Sequence, residues 1–251
     1  MMRPMTLSEL AVPLSATLLG GDRTFTGVST DSRSITAGDL FVALAGENFD
    51  GHAYLPQAAA AGAVGAVVSK PVNADLPLLL VDDSQRALGL VGAYNRGLYD
   101  GPLVAVTGSS GKTSVKNMIS AVLSRRGETL ATEGNFNNEI GVPLTLLRLD
   151  PRHRFAVVEM GAGRVGDIAW LCQLGRPTIA MVLNAMAAHL DGFGSVEEVA
   201  VAKGEIYDGL GASDIAIVNA DQSWATQWRE RAAPARIIDF AIDQPAVVTA
   251  K

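Results

Sequence analysis

One stretch in the middle of the chain, PLVAVTGSSGKTS at 102–114, constrains the fold most strongly. Its apolar residues 103–106 predict a buried strand, a loop of small residues follows at 107–111, and apolar residues then recur at helical spacing from Val115 to Leu123. A strand, a glycine loop and a helix N-terminus in this order form a phosphate-binding loop, because backbone N–H groups and the helix dipole both attract an anion. The residues expected to bind phosphate are Gly108, Ser109, Ser110, Gly111, Lys112, Thr113 and Ser114.

Lys112 and Thr113 supply the remaining groups of such a site. Lys112 adds a full positive charge, and the hydroxyl of Thr113 can hold Mg²⁺. The usual spacing, G-x-x-x-x-G-K-[ST], requires glycine at the position of Val106, so the sequence matches the shorter variant T-G-x-x-G-K-T. The alternative interpretation is a Gly/Ser turn beside an exposed lysine, but the flanking strand and helix favour the phosphate site.

Composition excludes several classes of protein. The 251 residues are 48% hydrophobic, enough for one large or two ordinary domains. The net charge of −6 and the lack of a Lys/Arg cluster argue against nucleic-acid binding. The single cysteine, Cys172, excludes an internal disulfide and a cysteine-based metal site, and we expect it to be a small apolar residue on a helix. With no signal-peptide pattern and no apolar run long enough to span a membrane, we expect a cytoplasmic protein.

The first hundred residues are predicted to form a small α/β domain that ends near 99–102. A helix over 6–16 is expected to begin at Thr6, with Glu9 completing its cap, and a helix over 84–98 to begin at Ser84. The other predicted elements of this part are strands at 25–29, 39–44, 66–69 and 78–81 and a helix at 53–63.

From Pro102 onward, strands and helices alternate, which predicts a mostly parallel sheet flanked by helices. The predicted strands after the phosphate loop lie at 155–158, 178–183 and 214–218, and the helices at 168–174 and 196–210. Ligands of such sheets bind beyond the C-terminal ends of the strands. The polar residues that follow strand ends are those of the phosphate loop, Glu159, His189, Asn219 and Asp221.

Glu159 and His189 are the candidate metal ligands at these strand ends. Glu159 ends the apolar strand FAVVE, where a carboxylate near phosphates suits Mg²⁺, although it would equally cap the next loop. A lone histidine in an apolar context such as AAHLD is more often a core residue than a ligand, but the position of His189 after a strand favours a functional role.

Lys203 stands in the apolar stripe of a helix that begins at Ser195. A charged lysine is costly there, and burial should lower its pKa. Three outcomes fit: the side chain reaches the edge of the core, it pairs with Glu205 or Asp208, or it is neutral enough to react with carbon dioxide and become an anionic carbamate. The residues alone favour the first outcome.

These motifs together resemble those of the Mur ligases, the ATP-dependent amide ligases of peptidoglycan synthesis. The resemblance covers almost the whole chain. Its motifs are STDSR at 29–33, GDLFVAL at 38–44, GENFDGH at 46–52, TGSSGKTS at 107–114, GNFNNEIGVPLTLL at 134–147, EMGA at 159–162, AHLDGFGS at 188–195 and AKGEI at 202–206. The set is most similar to the family members that join D-alanyl-D-alanine to UDP-N-acetylmuramoyl-tripeptide.

The resemblance implies a UDP-substrate-binding domain at 1–100, an ATP-binding domain at 101–251 and a third domain that this chain lacks. It places Thr30, Ser32 and Asn48 near the uridine diphosphate, and Gly108–Ser114 on the ATP phosphates. It assigns two Mg²⁺ sites to Thr113, Glu159 and His189. It also makes Lys203 a carbamoylated metal ligand, which reverses the preference from the residues alone. The remaining implied roles are catalysis by Lys112, His189 and Lys203, contact with ATP or the peptide end by Asn135 and Asn138, and approach to the nucleotide by Asn219 and Asp221.

The implied reaction activates a carboxylate as an acyl phosphate, which an amine then attacks. The implied partners are UDP-N-acetylmuramoyl-tripeptide and D-alanyl-D-alanine, and the implied state is a monomer. Because the sequence stops inside the central domain, we expect nucleotide or UDP-substrate binding with negligible turnover. The alternatives are another amide ligase of this superfamily, such as an amino-acid-adding member or a folylpolyglutamate synthase, a non-catalytic nucleotide-binding module, and a P-loop kinase.

Overall fold

The computed structural model describes residues 2–46, 49–187 and 193–249, which form two compact units. The first unit comprises Met1–Tyr99 and the short segment Leu146–Asp150, and the second comprises the remainder. Asn95, which is buried, ties this segment into the first unit, because its side-chain amide donates hydrogen bonds to the main-chain oxygens of Leu146 (2.8 Å) and Leu149 (3.0 Å).

The first unit is built around a five-stranded sheet. Its elements are β1 (Met5–Thr6), α1 (Leu7–Ala11), β2 (Thr17–Leu19), β3 (Thr24–Phe25), β4 (Gly27–Ser29), β5 (Asp39–Val42), β6 (Ala45–Gly46), β7 (Phe49–Asp50), a 3₁₀ turn (Gly51–Tyr54), α2 (Leu55–Ala60), β8 (Gly65–Val68), β9 (Leu78–Leu80) and α3 (Ser84–Gly97). The sheet order is β2-β9-β8-β5-β4, parallel except between β2 and β9. The central strands β5 and β8 are buried throughout, which explains their mostly apolar sequences.

The second unit contains a seven-stranded, fully parallel sheet. Its elements are β10 (Leu103–Thr107), α4 (Lys112–Leu123), β11 (Thr129–Ala131), α5 (Gly141–Leu146), β12 (Phe155–Glu159), α6 (Asp167–Gly175), β13 (Ile179–Val182), α7 (Val196–Gly204), a 3₁₀ turn (Glu205–Tyr207), β14 (Ile215–Asn219), α8 (Ala225–Ala232), β15 (Arg236–Ala241) and β16 (Val248–Thr249). The order is β11-β12-β10-β13-β14-β15-β16. Val115, Ile119 and Leu123 of α4 pack on the core formed by these strands.

The expected fold class, a small α/β unit followed by a mostly parallel sheet flanked by helices, is confirmed. The capping of α1 by Thr6 and Glu9 is also confirmed. The expected cap of α3 was wrong: Asp83, not Ser84, accepts hydrogen bonds from the N–H groups of Gln85 (2.8 Å) and Arg86 (3.0 Å). The helix predicted over 196–210 ends at Gly204, where a 3₁₀ turn replaces it.

Two further expectations concern the single cysteine and membrane-spanning segments. Cys172 is a buried residue of α6, as expected, and burial raises the pKa of its thiol far above the ordinary value. Within the described ranges, the structure contains no helix with the length and apolar character needed to cross a membrane.

Candidate active site

The C-terminal ends of β12, β10 and β13 bring the candidate functional groups of the second unit together. These three strands are neighbours and run parallel, with Val106 opposite Glu159 and Thr107 opposite Val182. The phosphate loop, the carboxylate of Glu159 and the segment after β13 therefore lie along the same edge of the sheet, where parallel α/β sheets bind ligands.

The phosphate loop passes into α4 at Gly111, whose φ of +78° lies in the left-handed region that favours glycine. The first hydrogen bond of the helix runs from the N–H of Val115 to the carbonyl of Gly111 (3.0 Å). Among the described residues, the N–H groups of 111–114 have no hydrogen-bond acceptor, as expected at a helix N-terminus. The ammonium of Lys112 donates to the carbonyl of Gly108 (2.9 Å), so it lies over the same loop. These groups form a positively polarised concavity suited to phosphate.

Glu159 is a buried carboxylate, only 1% exposed. Its Oε2 accepts a hydrogen bond from the hydroxyl of Thr113 (2.9 Å), and its Oε1 accepts one from the side-chain amide of Asn137 (2.8 Å). Both partners are neutral, so the negative charge has no cation paired with it among the described residues. A buried charge needs such compensation. Two adjacent oxygen ligands beside a phosphate loop fit Mg²⁺, which prefers oxygen and shares its shell with phosphate.

Lys203 is also buried, with 3% of its surface exposed, and it lines the same cleft as Lys112. The cleft has a volume of about 250 Å³. Its lining residues are Gly108, Ser109, Lys112, Asn137, Asn138, Glu139, Gly161, Ala162, Gly163, Asp167 and Lys203. Burial, with a further contribution from the charge of Lys112, lowers the pKa of Lys203 to about 8.

The outcome favoured for Lys203 by the residues alone was wrong, because the residue is almost completely buried and lines the cleft. The expected carboxylate partners are also engaged elsewhere. Glu205 accepts hydrogen bonds from the N–H groups of Gly166 (2.7 Å) and Ala169 (3.0 Å), and Asp208 accepts one from Arg231 (2.6 Å). With a pKa of about 8, about a tenth of Lys203 is neutral at pH 7, far more than for a lysine with the ordinary pKa.

The low pKa of Lys203 predicts a specific pH dependence of stability. The pKa of Lys203 is about 8 in the folded chain and has its ordinary value of 10.5 in the unfolded chain. Between these two pH values the unfolded chain binds more protons than the folded chain does, so the free energy of unfolding increases as the pH rises. The unmodified chain should therefore gain stability relative to Lys203→Met across this interval, by an amount of the order of 2 kcal/mol. Urea unfolding of both chains in buffer free of carbon dioxide measures the difference, and parallel pH curves would contradict it.

Glu205 is a second buried carboxylate, and it caps the N-terminus of α6 from a distant part of the chain. Glu205→Ala leaves two N–H groups of α6 without an acceptor, so we expect a loss of about 2–4 kcal/mol in the free energy of unfolding. Glu205→Gln keeps one acceptor oxygen and should lose about half as much. Chemical denaturation of the three chains tests this order, and an alanine variant as stable as the unmodified chain would refute it.

The asparagines of the 134–141 loop differ in their contacts. Asn138 lines the cleft and its Oδ1 accepts from the N–H of Gly141 (2.9 Å), whereas Asn135 is exposed and is not among the lining residues. Asn137, which contacts Glu159, was not predicted, because the three asparagines in GNFNN are equivalent in the sequence alone. Asp167, which lines the cleft, was not predicted either.

Asn219 and Asp221 make contacts within the chain. The side-chain amide of Asn219 donates to the carbonyl of Leu183 (2.8 Å). The carboxylate of Asp221 accepts hydrogen bonds from the N–H groups of Ile242 (2.7 Å) and Gln244 (2.9 Å), which lower its pKa. These two residues therefore join the end of β14 to the segments that follow its neighbouring strands, β13 and β15. The candidate residues Asn48 and His189 lie outside the described residues.

The first unit has a cleft of its own, with a volume of about 430 Å³. Thr30, Asp31, Ser32, Arg33, Phe41, Phe49, Tyr54 and Gln57 line it. The rings of Phe49 and Tyr54 are stacked, with centroids 5.5 Å apart. Arg33 pairs with Asp31 (2.7 Å) and holds the pKa of that carboxyl at about 2. The cleft thus combines aromatic faces with a guanidinium and hydroxyl groups.

Comparison with known families identifies the chain. A family model described as the Mur ligase middle domain matches residues 106–251, more than half of the sequence. The chain belongs to the Mur ligase family. A second model, described as the Mur ligase family catalytic domain, matches residues 24–97. The family resemblance seen in the sequence motifs is therefore confirmed.

Similar Mur ligases include curated and solved proteins. UDP-N-acetylmuramoyl-tripeptide–D-alanyl-D-alanine ligase of Escherichia coli (strain K12) is 52% identical over 225 residues, which are 90% of this chain and 50% of the relative. A crystal structure of MurF from Acinetobacter baumannii has a TM-score of 0.92 and 36% identity, covering 100% of this chain and 55% of that one. MurF from Thermotoga maritima in complex with ADP has a TM-score of 0.77 and 33% identity, covering 86% and 50%. The chain spans about half the length of these relatives.

Proposed function

We propose that this chain is the UDP-substrate- and ATP-binding part of a ligase that joins D-alanyl-D-alanine to UDP-N-acetylmuramoyl-tripeptide. The observation that carries the proposal is the arrangement of the phosphate loop, the buried Glu159 and the buried Lys203 around one cleft. The Escherichia coli relative, a UDP-N-acetylmuramoyl-tripeptide–D-alanyl-D-alanine ligase that is 52% identical, supports the choice of substrates.

The proposed reaction begins with transfer of the γ-phosphoryl group of ATP to the carboxylate of the tripeptide. A new bond forms between a carboxylate oxygen and phosphorus, the bond to the β-phosphate oxygen breaks, and ADP leaves. The amine of D-alanyl-D-alanine then attacks the acyl carbon, loses a proton, and phosphate leaves. Lys112 and the open N–H groups of 111–114 would stabilise the negative charge on the transferring group.

Glu159 and Thr113 would hold magnesium, which supplies positive charge that neutralises the phosphates. The proposal includes two magnesium sites, to which Lys203 and His189 would also contribute. Lys203 would do so as a carbamate, because a neutral amine can attack carbon dioxide and release a proton to give an anionic oxygen ligand. Its burial and its pKa of about 8 support this role.

The cleft of the first unit is the proposed site for the uridine diphosphate. Ser32 is buried there and donates a hydrogen bond to Gln57 (3.1 Å), while Thr30 lines the same cleft. The stacked pair of Phe49 and Tyr54 offers an aromatic face to a planar base, and Arg33 offers a positive charge to a diphosphate. We propose that the second unit binds ATP and the first binds the UDP end of the substrate, in a monomer that functions in the cytoplasm.

Titration calorimetry of the 251-residue chain tests this assignment. We expect saturable binding of a non-hydrolysable ATP analogue with magnesium, separate binding of UDP, and negligible phosphate release with ATP and both substrates. Binding of neither nucleotide by correctly folded chain would refute the proposal. Isotope-labelled bicarbonate, followed by nuclear magnetic resonance, would reveal a carbamate signal that Lys203→Met should lack.

A further inference from the structure

The segment that follows β13 is joined to the phosphate loop by a set of direct hydrogen bonds, in which Asn184 has a central part. The N–H of Ser109 donates to the main-chain oxygen of Asn184 (3.1 Å), and the N–H of Ser110 donates to its side-chain Oδ1 (3.0 Å). In return, the Nδ2 of Asn184 donates to the carbonyl of Ser110 (3.3 Å). Asn184 therefore binds the main chain of two successive loop residues and both polar main-chain atoms of Ser110.

Met186 adds a second attachment two residues later. The hydroxyl of Ser109 accepts a hydrogen bond from the N–H of Met186 (3.0 Å) and donates one to its carbonyl (3.2 Å). The N–H of Leu183 also donates to the carbonyl of Thr107 (2.9 Å), which continues the pairing of β13 with β10. The segment 183–186 thus follows the loop residue by residue beyond the end of the sheet.

These contacts divide the N–H groups of the loop into two sets. The N–H groups of Ser109 and Ser110 are occupied by oxygen atoms of Asn184. The N–H groups of 111–114 have no acceptor among the described residues. The first set joins the loop to the segment after β13, and the second set is left without an acceptor among the described residues.

We propose that Asn184 is a positioning residue that holds the phosphate loop in its anion-binding conformation before nucleotide arrives. A loop built from glycine and serine has high conformational entropy, and a ligand that had to order it would bind more weakly. By fixing Ser109 and Ser110, Asn184 orients the following turn so that its open N–H groups and Lys112 converge on one point. The proposal rests on the proposed ATP site, since that site defines the anion.

The opposite role for Asn184 is competition. If a triphosphate needs the N–H groups of Ser109 and Ser110, both oxygens of Asn184 must first leave, and removing the side-chain oxygen that occupies the N–H of Ser110 would tighten binding. The two roles predict opposite changes in the Kd for nucleotide when the side chain of Asn184 is removed, so one substitution distinguishes them.

Asn184→Ala provides the test, in the 251-residue chain. The variant removes the two side-chain hydrogen bonds with Ser110 and keeps the main-chain oxygen that binds the N–H of Ser109. We therefore expect hydrogen exchange at the N–H of Ser110 to accelerate at least about tenfold without nucleotide, while global stability changes little. If the ordered loop falls to about a tenth of the population, the Kd for an ATP analogue with magnesium should rise about tenfold. Saturating analogue should restore slow exchange, because the ligand then orders the loop, and a merely structural role would not produce this ligand-dependent recovery.

Two other variants complete the experiment. Ser109→Ala removes only the hydroxyl contacts with Met186, and it should shift exchange and affinity in the same direction by a smaller factor. Asn95→Ala, whose amide also bridges two main-chain groups but in the first unit, should lower stability without changing exchange at Ser109 and Ser110. If Asn184→Ala fails to fold, hydrogen exchange at the N–H of Ser110 in Ser109→Ala without nucleotide still tests whether the segment 183–186 orders the loop, and unchanged exchange there would contradict the proposal.

Unchanged exchange at the N–H of Ser110, or an unchanged or lower Kd in Asn184→Ala, would overturn the proposal. Failure of the unmodified chain to bind the ATP analogue would instead refute the proposed nucleotide site. The exchange measurement does not depend on that binding, so the two failures are distinguishable.

Discussion

Lys112→Met should weaken binding of an ATP analogue with magnesium by about 10- to 150-fold. Lys112 is the cation of the phosphate loop, and its ammonium lies against the carbonyl of Gly108, 2.9 Å away. Hydrogen bonds that involve a charged group contribute about 1.5–3 kcal/mol, and about 1.4 kcal/mol corresponds to a factor of ten in Kd. Methionine keeps the length of the side chain but provides no charge. Titration calorimetry at fixed ionic strength gives the Kd of each chain.

Lys70→Met is the matched control for this substitution. Lys70 belongs to the first unit and pairs with Asp50 at 2.6 Å, so its replacement removes the same charge at a distance from the phosphate loop in the sequence and outside its sheet. We expect its Kd for the analogue to equal that of the unmodified chain. Equal affinities for Lys112→Met and Lys70→Met would show that the loop is not the nucleotide site.

Trp228→Ala should lower the free energy of unfolding of the second unit by about 3–5 kcal/mol. Trp228 in α8 is fully buried, and its indole Nε1 donates a hydrogen bond to the carbonyl of Ala200 in α7 (3.0 Å). Its ring also packs closely on Gly204, where an added Cβ would lie 2.9 Å from the ring atom Cδ1. Truncation creates a cavity beside the helix that carries Lys203 and leaves the carbonyl without its partner.

Chemical denaturation followed by fluorescence measures this loss, since all three tryptophans of the chain, Trp170, Trp224 and Trp228, lie in the second unit. Trp228→Phe is the control. Phenylalanine retains an aromatic ring but no N–H donor, so we expect it to lose about 1–3 kcal/mol. A loss below about 1 kcal/mol in Trp228→Ala would mean that the α7–α8 contact contributes little to stability.

The phosphate loop could be predicted because its determinants are local. Glycines, Lys112 and Thr113 lie within one short stretch, and the apolar residues on either side determine the strand and the helix. Glu159 could be located for a similar reason, since it directly follows a buried run. Asn137, the partner of the Glu159 carboxylate, could not be predicted. The path of the 134–141 loop, rather than the residue type, decides which asparagine reaches Glu159.

The environment of Lys203 depends on contacts between distant parts of the chain. The stripe on α7 indicated a lysine facing the core, but only the packing of neighbouring elements decides whether such a side chain can reach solvent. The α-helix ends at Gly204, just before Glu205, whose carboxylate accepts hydrogen bonds at the N-terminus of α6, and this long-range contact is not visible in the sequence. Strands as short as β11 and β16 escaped prediction because their pairing partners, β12 and β15, determine that they are extended.

Because the first unit includes Leu146–Asp150, it cannot be separated from the second unit by a single cut in the chain. Dividing the gene after Tyr99 would yield a fragment in which the buried amide of Asn95 loses both its carbonyl acceptors, together with the apolar cover that Leu146 and Leu149 provide. An N-terminal fragment intended for ligand studies would keep its native surface only if this pentapeptide were grafted back through a linker.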